Sequence, residues 1–596
     1  MNTLIAVVLG AATFFVGYKY YAQRIDRDII KADPKKATPA KMYMDGVDFS
    51  PASRNVLYGF QFKSIAASGP IVGTITAAAL WGWLPALIWL LLGVTFIGWV
   101  QDYSAMMMSA RRDGDSLSAT AHKLMSPTSR TILLIFIFIY LLIIAGAFGN
   151  LLSGIFASTP SVPLGIVVLA LAGVLAGQML YKWKMDLVVV TLVTVGITLI
   201  AILAGPLDAI SGVVNGLNGA LNSLTGNQPF YQIFDPTLGG YAGGFIKYTP
   251  SYVFWLLFLI VFCYLGAVLP IWRYAQPVNY IGFWIMALTL VGGFVGAVVA
   301  VVANPALATF TLPMFKGWDA GVKGALQPLW PMLFVTVACG AISGWHSLIS
   351  TVGTARQLEN ETDALPVGGG AMFSENLLAI LALMAISVGT AGGGAAAFAA
   401  GVGGFLSVFG LDVKYGTALA FAAFVIIVIT VLQLVIRFMR VSLTEWLGDS
   451  IPAMRNMHVG TIISAALMFF VVLSGTFTYL YQLFGGANQL MASLALMLVG
   501  LWLTAEGKKA LWVWLPMLFM YVTTIVANLI TAWNMYANII QPNLGKPGYE
   551  VPILGAALLI FAALFLVGAA LFLGWEGWKA YGRLRGKAPK VAAAKA

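Results

Sequence analysis

The sequence is poor in charged residues. Of its 596 residues only 9% are Asp, Glu, Lys or Arg, whereas soluble globular proteins contain about 25%. With 60% hydrophobic residues, the chain cannot be an ordinary soluble protein, and a lipid bilayer is the solvent that suits it. We find no polar stretch long enough for a soluble enzyme domain and therefore predict that the protein is not an enzyme.

Cysteine and histidine are also scarce. The chain has two cysteines, Cys263 and Cys339, and three histidines. Both cysteines lie in apolar runs, which argues against disulfides, and a metal site would lack a second pair of ligands. We interpret both as packing residues and predict neither a metal nor a cofactor. The net charge of +11 is scattered between apolar segments, so nucleic acid is not an expected partner.

Apolar runs long enough to cross a bilayer as helices, about 18 to 25 residues each, recur along the whole chain. We count fifteen and predict an all-α polytopic membrane protein. The domain prediction is an N-terminal helix with a basic connection (1–57), a transport core (58–440), C-terminal membrane helices (441–578) and a basic tail (579–596). The runs begin near residues 3, 62, 84, 129, 162, 186, 251, 280, 329, 371, 415, 458, 486, 511 and 551.

The basic residues predict the orientation. If the N-terminus is outside, the cytoplasmic connections hold twenty-seven Lys or Arg, and the opposite connections hold five, Lys247, Lys316, Lys323, Lys414 and Lys546. Positive residues are retained in the cytoplasm during insertion. We therefore expect a protein of the inner membrane with its N-terminus outside and its C-terminus cytoplasmic, where the basic tail contacts anionic lipid.

Two spans carry glycine and proline near their middle. In a bilayer, proline leaves a carbonyl without its helical partner, so broken helices mark sites. The second and seventh spans are five apart and run in opposite directions, which predicts a 5+5 inverted-repeat core with one helix before it and about four after it. The alternative is that these residues are simply common in membrane helices. The candidate substrate-binding residues are Ser68, Gly69, Pro70, Gly73, Gly266, Pro270 and Trp272.

Ionisable residues inside apolar runs are functional candidates, because each costs about 2.5–3.5 kcal/mol at the bilayer centre. Asp102 is either a proton carrier or a brace between helices. His346 titrates near neutral pH and suits a proton relay. Lys63 either supplies a fixed cation beside the first break or reaches the membrane surface with its long side chain.

Hydroxyl groups recur in the ninth span. Ser343, Ser347 and Ser350 are spaced by four and three residues and define one helix face, which predicts either a sodium site beside the first broken helix or close helix packing. Together with Asp102, His346 and Lys63 they are the candidate ion-coupling residues. We interpret Glu375 as a helix start at the membrane interface and Arg437 as a cytoplasmic helix end.

Five stretches, in order along the chain, resemble the carbon starvation protein A (CstA) family. The resemblance implies nutrient uptake during carbon limitation, with peptides and pyruvate as substrates, a proton gradient as driving force and kinship with LeuT-like transporters. The stretches are Ile65-Ala-Ala-Ser-Gly-Pro-Ile-Val-Gly73, Val100-Gln-Asp-Tyr103 with Arg111-Arg-Asp-Gly114, Val268-Leu-Pro-Ile-Trp272, Ala338-Cys-Gly-Ala-Ile-Ser-Gly-Trp-His-Ser-Leu-Ile-Ser350 and Phe484-Gly-Gly-Ala-Asn-Gln-Leu490.

The chain also departs from the family pattern. Similar members carry two acidic residues in the eleventh span, in a stretch resembling F-E-A-L-F-I-L-T-x-x-D-A-G-T-R. Here Phe424 and Gln433 stand at those positions, and Lys63 stands where a small residue is common. Because these changes can alter coupling or substrate, we do not assign one particular substrate of the family to this chain.

The sequence thus predicts a secondary transporter that imports a small organic nutrient such as pyruvate or short peptides. The coupling ion is expected to be H⁺, with Na⁺ as the alternative. A membrane-embedded solute sensor that does not transport is the competing interpretation. The expected partners are a small-molecule substrate and the lipid bilayer, and the oligomeric state is not predicted.

Overall fold

The computed structural model describes residues 1–587 except residues 47, 236–243, 322–324, 391–392, 474–479 and 548. Within that part of the chain the secondary structure is helical apart from one two-stranded sheet. This is the expected outcome for an apolar chain, because a helix pairs its own backbone groups where lipid offers no hydrogen-bond partner.

The first half of the chain contains eleven labelled helices and the small sheet. Strands β1 and β2 pair antiparallel, with Tyr231 opposite Tyr248. The helices and strands are α1 (Thr3–Ile30), α2 (Arg54–Ile65), α3 (Gly69–Trp81), α4 (Trp83–Ala110), α5 (Leu117–Leu124), α6 (Pro127–Ser158), α7 (Pro163–Lys182), α8 (Leu187–Ala204), α9 (Asp208–Ser223), β1 (Tyr231–Asp235), β2 (Gly244–Tyr248), α10 (Pro250–Val268) and α11 (Ala275–Ala303).

The second half of the chain contains the most buried helices. Helix α16 is 35 residues long, and in an apolar stretch of 18 of these residues 94% are buried inside the protein. The helices are α12 (329–337), α13 (344–355), α14 (Glu361–Ser387), α15 (Gly394–Ser407), α16 (Val413–Leu447), α17 (Met457–Leu473), α18 (Leu480–Ala505), α19 (Leu511–Asn543) and α20 (Glu550–Lys587).

The membrane-spanning character of the chain is confirmed. Among the residues that the structure describes, twelve helices are long and apolar enough to cross a bilayer, and the pair α2 and α3, bent by 52°, makes a thirteenth if it is counted as one span. The remaining two predicted spans correspond to the broken helix α12–α13 and to the shorter helix α17. The sequence interpretation missed only α15 among the apolar helices that the structure describes.

The connections gather at two opposite faces of the helix bundle. At one face Arg356 Nε donates to Gly114 O (3.0 Å), and Arg583 Nη2 donates to Met125 O (2.9 Å). We call this the basic face, because the connections rich in Lys and Arg lie there. At the opposite face Thr3 N donates to Ala308 O (2.9 Å).

Two broken helices cross near the middle of the bundle. Helices α2 and α3 run from the basic face to the opposite face, separated by residues 66–68. Helices α12 and α13 run the other way, because Gln327 O, just before α12, accepts from Trp81 Nε1 (3.2 Å), and Leu358, just after α13, pairs with Ala52. The two helices therefore form an inverted pair, but the sequence had paired the second span with the seventh and not with the ninth.

The location predicted for the second break is wrong. Helix α10 is continuous through Gly266 and ends at Val268, so Pro270 follows a helix end instead of interrupting a span. The second interruption lies at residues 338–343, in the predicted ninth span. Gly266 has another role, because a Cβ atom there would lie 2.6 Å from Gln433 Oε1 on α16.

Glycine permits the crossing of the two broken helices. A Cβ atom built on Gly69 would lie 2.6 Å from Cys339 Sγ, and one on Gly73 would collide with the carbonyl oxygen of Thr336. A side chain at either position would therefore push the two breaks apart.

We predict that Gly73→Ala destabilises the protein, because backbone atoms must shift to admit the methyl group. Overpacking of this kind costs about 1–3 kcal/mol. The matched control is Gly216→Ala on the exposed helix α9, where nothing lies within 4 Å of the added Cβ and a gain of about 0.5–1 kcal/mol is expected. Unfolding in mixed micelles measures both variants, and equal stability of the two would contradict this role of Gly73.

Candidate functional site

The second break frees backbone carbonyls inside the bundle, and side chains of neighbouring helices bind them. Phe334 O accepts hydrogen bonds from Trp89 Nε1 (3.2 Å) and Gln489 Nε2 (2.9 Å). Gly340 O accepts from Asn376 Nδ2 (2.7 Å). Because an unpaired buried carbonyl costs free energy, these donors allow the helix to be interrupted at this depth.

Two further hydrogen bonds connect the second break to α4 and to α2. Ser343 O accepts from Gln101 Nε2 (2.5 Å), which belongs to α4. Trp345 Nε1 donates to Ser64 O (2.7 Å), at the end of α2. The first and second broken helices are therefore connected by a direct hydrogen bond next to both breaks.

Asn488 on α18 accepts three hydrogen bonds at the start of α13. Its Oδ1 lies 2.5 Å from Tyr140 Oη, 3.1 Å from Ser343 Oγ and 3.1 Å from the backbone N of Trp345. Its Nδ2 donates to Cys339 Sγ (3.3 Å). The structure thus places both amides of this family stretch, Asn488 and Gln489, at the break.

His346 lies between two carboxylates. Its Nδ1 is 3.1 Å from Asp102 Oδ2, and its Nε2 is 3.0 Å from Glu375 Oε2. All three side chains have no exposure to solvent. They come from α4, α13 and α14, so tertiary structure alone brings them together. An imidazole held between two carboxylates can accept a proton and pass it on.

Glu375 was missed as a site residue, because the prediction placed it at a helix entry near the membrane surface. Helix α14 instead begins at Glu361, so Glu375 lies about 21 Å further along the helix axis, at 1.5 Å per residue. The sequence interpretation took Gly368 to Gly370 as part of a connection. Within the helix, Gly368 lets α14 approach α4, since a Cβ there would lie 3.3 Å from Asp102 O.

Arg437 was also misplaced by the sequence interpretation. It lies inside α16, ten residues before the helix ends, and its side chain is buried. Its Nη2 forms an ion pair with Asp48 Oδ1 at 2.7 Å. Arg437 therefore connects a buried helix to the segment that precedes α2.

Lys63 does not reach the membrane surface. Its side chain is fully buried, and its amine hydrogen-bonds Thr430 Oγ1 and lies 3.5 Å from Ile427 O, both on α16. Among the residues that the structure describes, its hydrogen-bond partners are neutral oxygens. Lys63 is thus a buried amine two residues before the end of α2.

The three serines of the ninth span do not share one helix face, because Ser343 precedes α13 in an extended conformation. Ser347 Oγ donates to Gly344 O (2.7 Å). Ser350 Oγ accepts from Gln61 Nε2 (3.1 Å) on α2. The helix does lie beside the first broken helix, as predicted, and its hydroxyls hydrogen-bond other protein groups.

The structure brings only part of the predicted substrate site together. The residues of the first break lie against the second break, where Gly69 approaches Cys339. Trp272 lies elsewhere, with its ring 5.3 Å from that of Tyr181. The connection that contains Pro270 and Trp272 is at the basic face, since Gln276 Nε2 donates to Gln357 Oε1 there (3.1 Å).

Comparison with known proteins agrees with the motifs. The family model described as "Carbon starvation protein CstA" matches residues 2–392 and 385–527. The peptide transporter CstA of Escherichia coli K12 is 34% identical over 390 residues, which are 65% of this chain and 50% of that protein. The pyruvate/proton symporter BtsT of the same strain is 31% identical over 398 residues, 65% of this chain and 49% of that protein.

The chain thus spans about half the length of these two relatives. The peptide transporter CstA of Bacillus subtilis strain 168 is 26% identical, and the match covers 96% of each chain. Among solved structures, MhsT in complex with L-phenylalanine is 13% identical, with a TM-score of 0.43, and the match covers 87% of this chain and 99% of that one.

We predict that Asn488→Ala lowers the free energy of unfolding by about 2–4 kcal/mol, because each buried donor left without an acceptor costs about 1–3 kcal/mol. The control is Asn215→Ala on the exposed surface of α9, for which a change within about 0.5 kcal/mol is expected. Unfolding in mixed micelles measures both. Two equally small effects would show that Asn488 does not stabilise the break.

Proposed function

Because the chain belongs to the carbon starvation protein CstA family, we propose that it is a secondary active transporter that imports a small organic nutrient. Pyruvate and short peptides are the substrate classes, as suggested by the names of the relatives BtsT and CstA. Transport proceeds by alternating access, in which the crossing of the two broken helices opens to one face of the membrane at a time.

The observation that carries this proposal is the buried arrangement of Asp102, His346 and Glu375. Proton symport needs a group that takes up a proton from one side and releases it on the other. His346 is the third residue of α13, whereas Asp102 and Glu375 belong to α4 and α14. A shift of α13 relative to its neighbours changes the distance between the imidazole and the carboxylates, and with it the affinity for the proton.

The substrates share a carboxylate, and the first break suits an anion. The N-terminus of α3 at Gly69 carries the positive end of the helix dipole. Lys63 adds a buried amine near the end of α2, where a positive charge without a carboxylate partner is unfavourable. A substrate carboxylate near the first break would supply the missing negative charge.

We propose the inner membrane as the location, with the N-terminus outside and the C-terminus cytoplasmic. The support is the distribution of charge, since the basic face collects the connections that are rich in Lys and Arg. Retention of positive residues in the cytoplasm then assigns the basic face to that side.

Uptake into proteoliposomes tests the proposed function. Labelled pyruvate and a labelled dipeptide are offered separately, and an inward proton gradient and an inward sodium gradient are imposed one at a time. Accumulation of either substrate with the proton gradient is the expected result. Accumulation with the sodium gradient alone would overturn proton coupling, and the absence of any accumulation would overturn transport of these substrates.

We predict that His346→Ala abolishes proton-driven accumulation and preserves exchange of labelled against unlabelled substrate, because exchange needs no net proton movement. His122→Ala is the matched control, since His122 lies exposed on α5 and its replacement should leave both activities unchanged. Loss of both activities in correctly folded His346→Ala protein would contradict a coupling role and indicate a binding or structural one.

We predict that Lys63→Met lowers uptake of a carboxylate substrate by about ten- to a hundredfold, since a hydrogen bond to a charged group contributes about 1.5–3 kcal/mol. Thermal stability should stay constant or rise, because methionine fills a similar volume without a buried charge. Lys414→Met, at an exposed position, is the control. Unchanged uptake by the Lys63 variant would remove its role toward the substrate.

A further inference from the structure

Three potential metal ligands converge at the second break. Cys339 belongs to the interrupted segment, His346 to α13 and Glu375 to α14. One ligand atom of each, the cysteine sulfur, an imidazole nitrogen and a carboxylate oxygen, lies within 4.8 Å of the other two. All three side chains are fully buried. The sequence suggested a packing role for Cys339, because without the fold Glu375 could not be placed beside it.

The polar atoms at this point lack hydrogen bonds. Within the described part of the chain, His346 Nε2 and both carboxylate oxygens of Glu375 have no hydrogen-bond partner. Nε2 and Oε2 lie 3.0 Å apart, which is an ion-pair distance when His346 is protonated. Buried polar atoms without partners are rare in folded proteins and need an explanation.

The other nitrogen of His346 has the partner that a metal-binding histidine usually has. Nδ1 lies 3.1 Å from Asp102 Oδ2. Histidines that bind metals commonly donate their second ring N–H to a carboxylate, which fixes the ring orientation and leaves the opposite nitrogen as ligand. Here the opposite nitrogen is Nε2, on the side of Glu375.

Cys339 is held in place by neutral groups. Its sulfur accepts a hydrogen bond from Asn488 Nδ2 (3.3 Å) and lies 3.4 Å from Ser343 Oγ. Cysteine binds metals as the thiolate, so the S–H group that donates to Ser343 Oγ must lose its proton on binding. On binding, the S–H proton leaves to solvent and the sulfur forms the bond to the ion.

We propose that Cys339 Sγ, His346 Nε2 and the Glu375 carboxylate bind one divalent transition-metal ion of the zinc class. One sulfur, one imidazole and one carboxylate suit Zn²⁺ or Co²⁺, whereas Mg²⁺ and Ca²⁺ require oxygen ligands. Three protein ligands leave a coordination position for water.

The binding test uses the purified full-length protein in detergent, stripped with a chelator and titrated with Co²⁺. The expected result is one Co²⁺ per chain with a near-ultraviolet sulfur-to-cobalt charge-transfer band. Cys339→Ser should lose the band, and Glu375→Gln should weaken binding at least tenfold. Cys263→Ser is the matched control, because the second cysteine lies on α10 away from the site, and it should keep both the band and the affinity.

A measurement on the wild-type protein tests the metal site without relying on variants that fail to fold. X-ray absorption of the Zn²⁺-loaded protein should show one sulfur ligand with nitrogen and oxygen ligands. The absence of sulfur from the coordination shell, or a cobalt band that persists in folded Cys339→Ser protein, would overturn the proposal. Both measurements are made without transport, so a protein that binds Zn²⁺ and imports nothing would contradict the proposed function alone.

Discussion

A backbone carbonyl that loses its helical partner inside a bilayer must find another donor, and this constraint organises the centre of the protein. At the second break the donors are amide side chains from α4, α14 and α18, namely Gln101, Asn376 and Gln489. Their positions are fixed by the packing of whole helices. The interruption is therefore a property of the assembled bundle, and the ninth span could not be broken in this way on its own.

The same hydrogen bonds determine the geometry of the candidate coupling site. His346 is the third residue of α13, and the start of that helix is held by Asn488 through the backbone of Trp345. The position of the imidazole relative to Asp102 and Glu375 thus depends on how the break is bound. Any rearrangement of the two broken helices changes the distances from His346 to Asp102 and Glu375, and in the proposed mechanism this connects substrate access with proton coupling.

Close approach of backbones is the second requirement of the site. Gly69 and Gly73 let the first break lie against the second, and Gly368 lets α14 approach α4 beside Asp102. Membrane helices gain little from the hydrophobic effect, because lipid tails are as apolar as leucine, so small residues at interfaces carry much of the packing. The glycine-rich composition of the chain, with 64 glycines, agrees with this mode of assembly.

The sequence by itself determined the bilayer as solvent, the approximate limits of most spans and the first break, because hydropathy and proline act locally. It also singled out Asp102 and His346 as candidate residues. Only the tertiary structure decided that Glu375 completes the site, that Arg437 and Lys63 are buried, and that the second break lies at residues 338–343 instead of Gly266 to Pro270. The physical reason is that these properties depend on donors and neighbours from other helices. The sequence alone does not distinguish a glycine that interrupts a membrane helix from one that lets another helix approach.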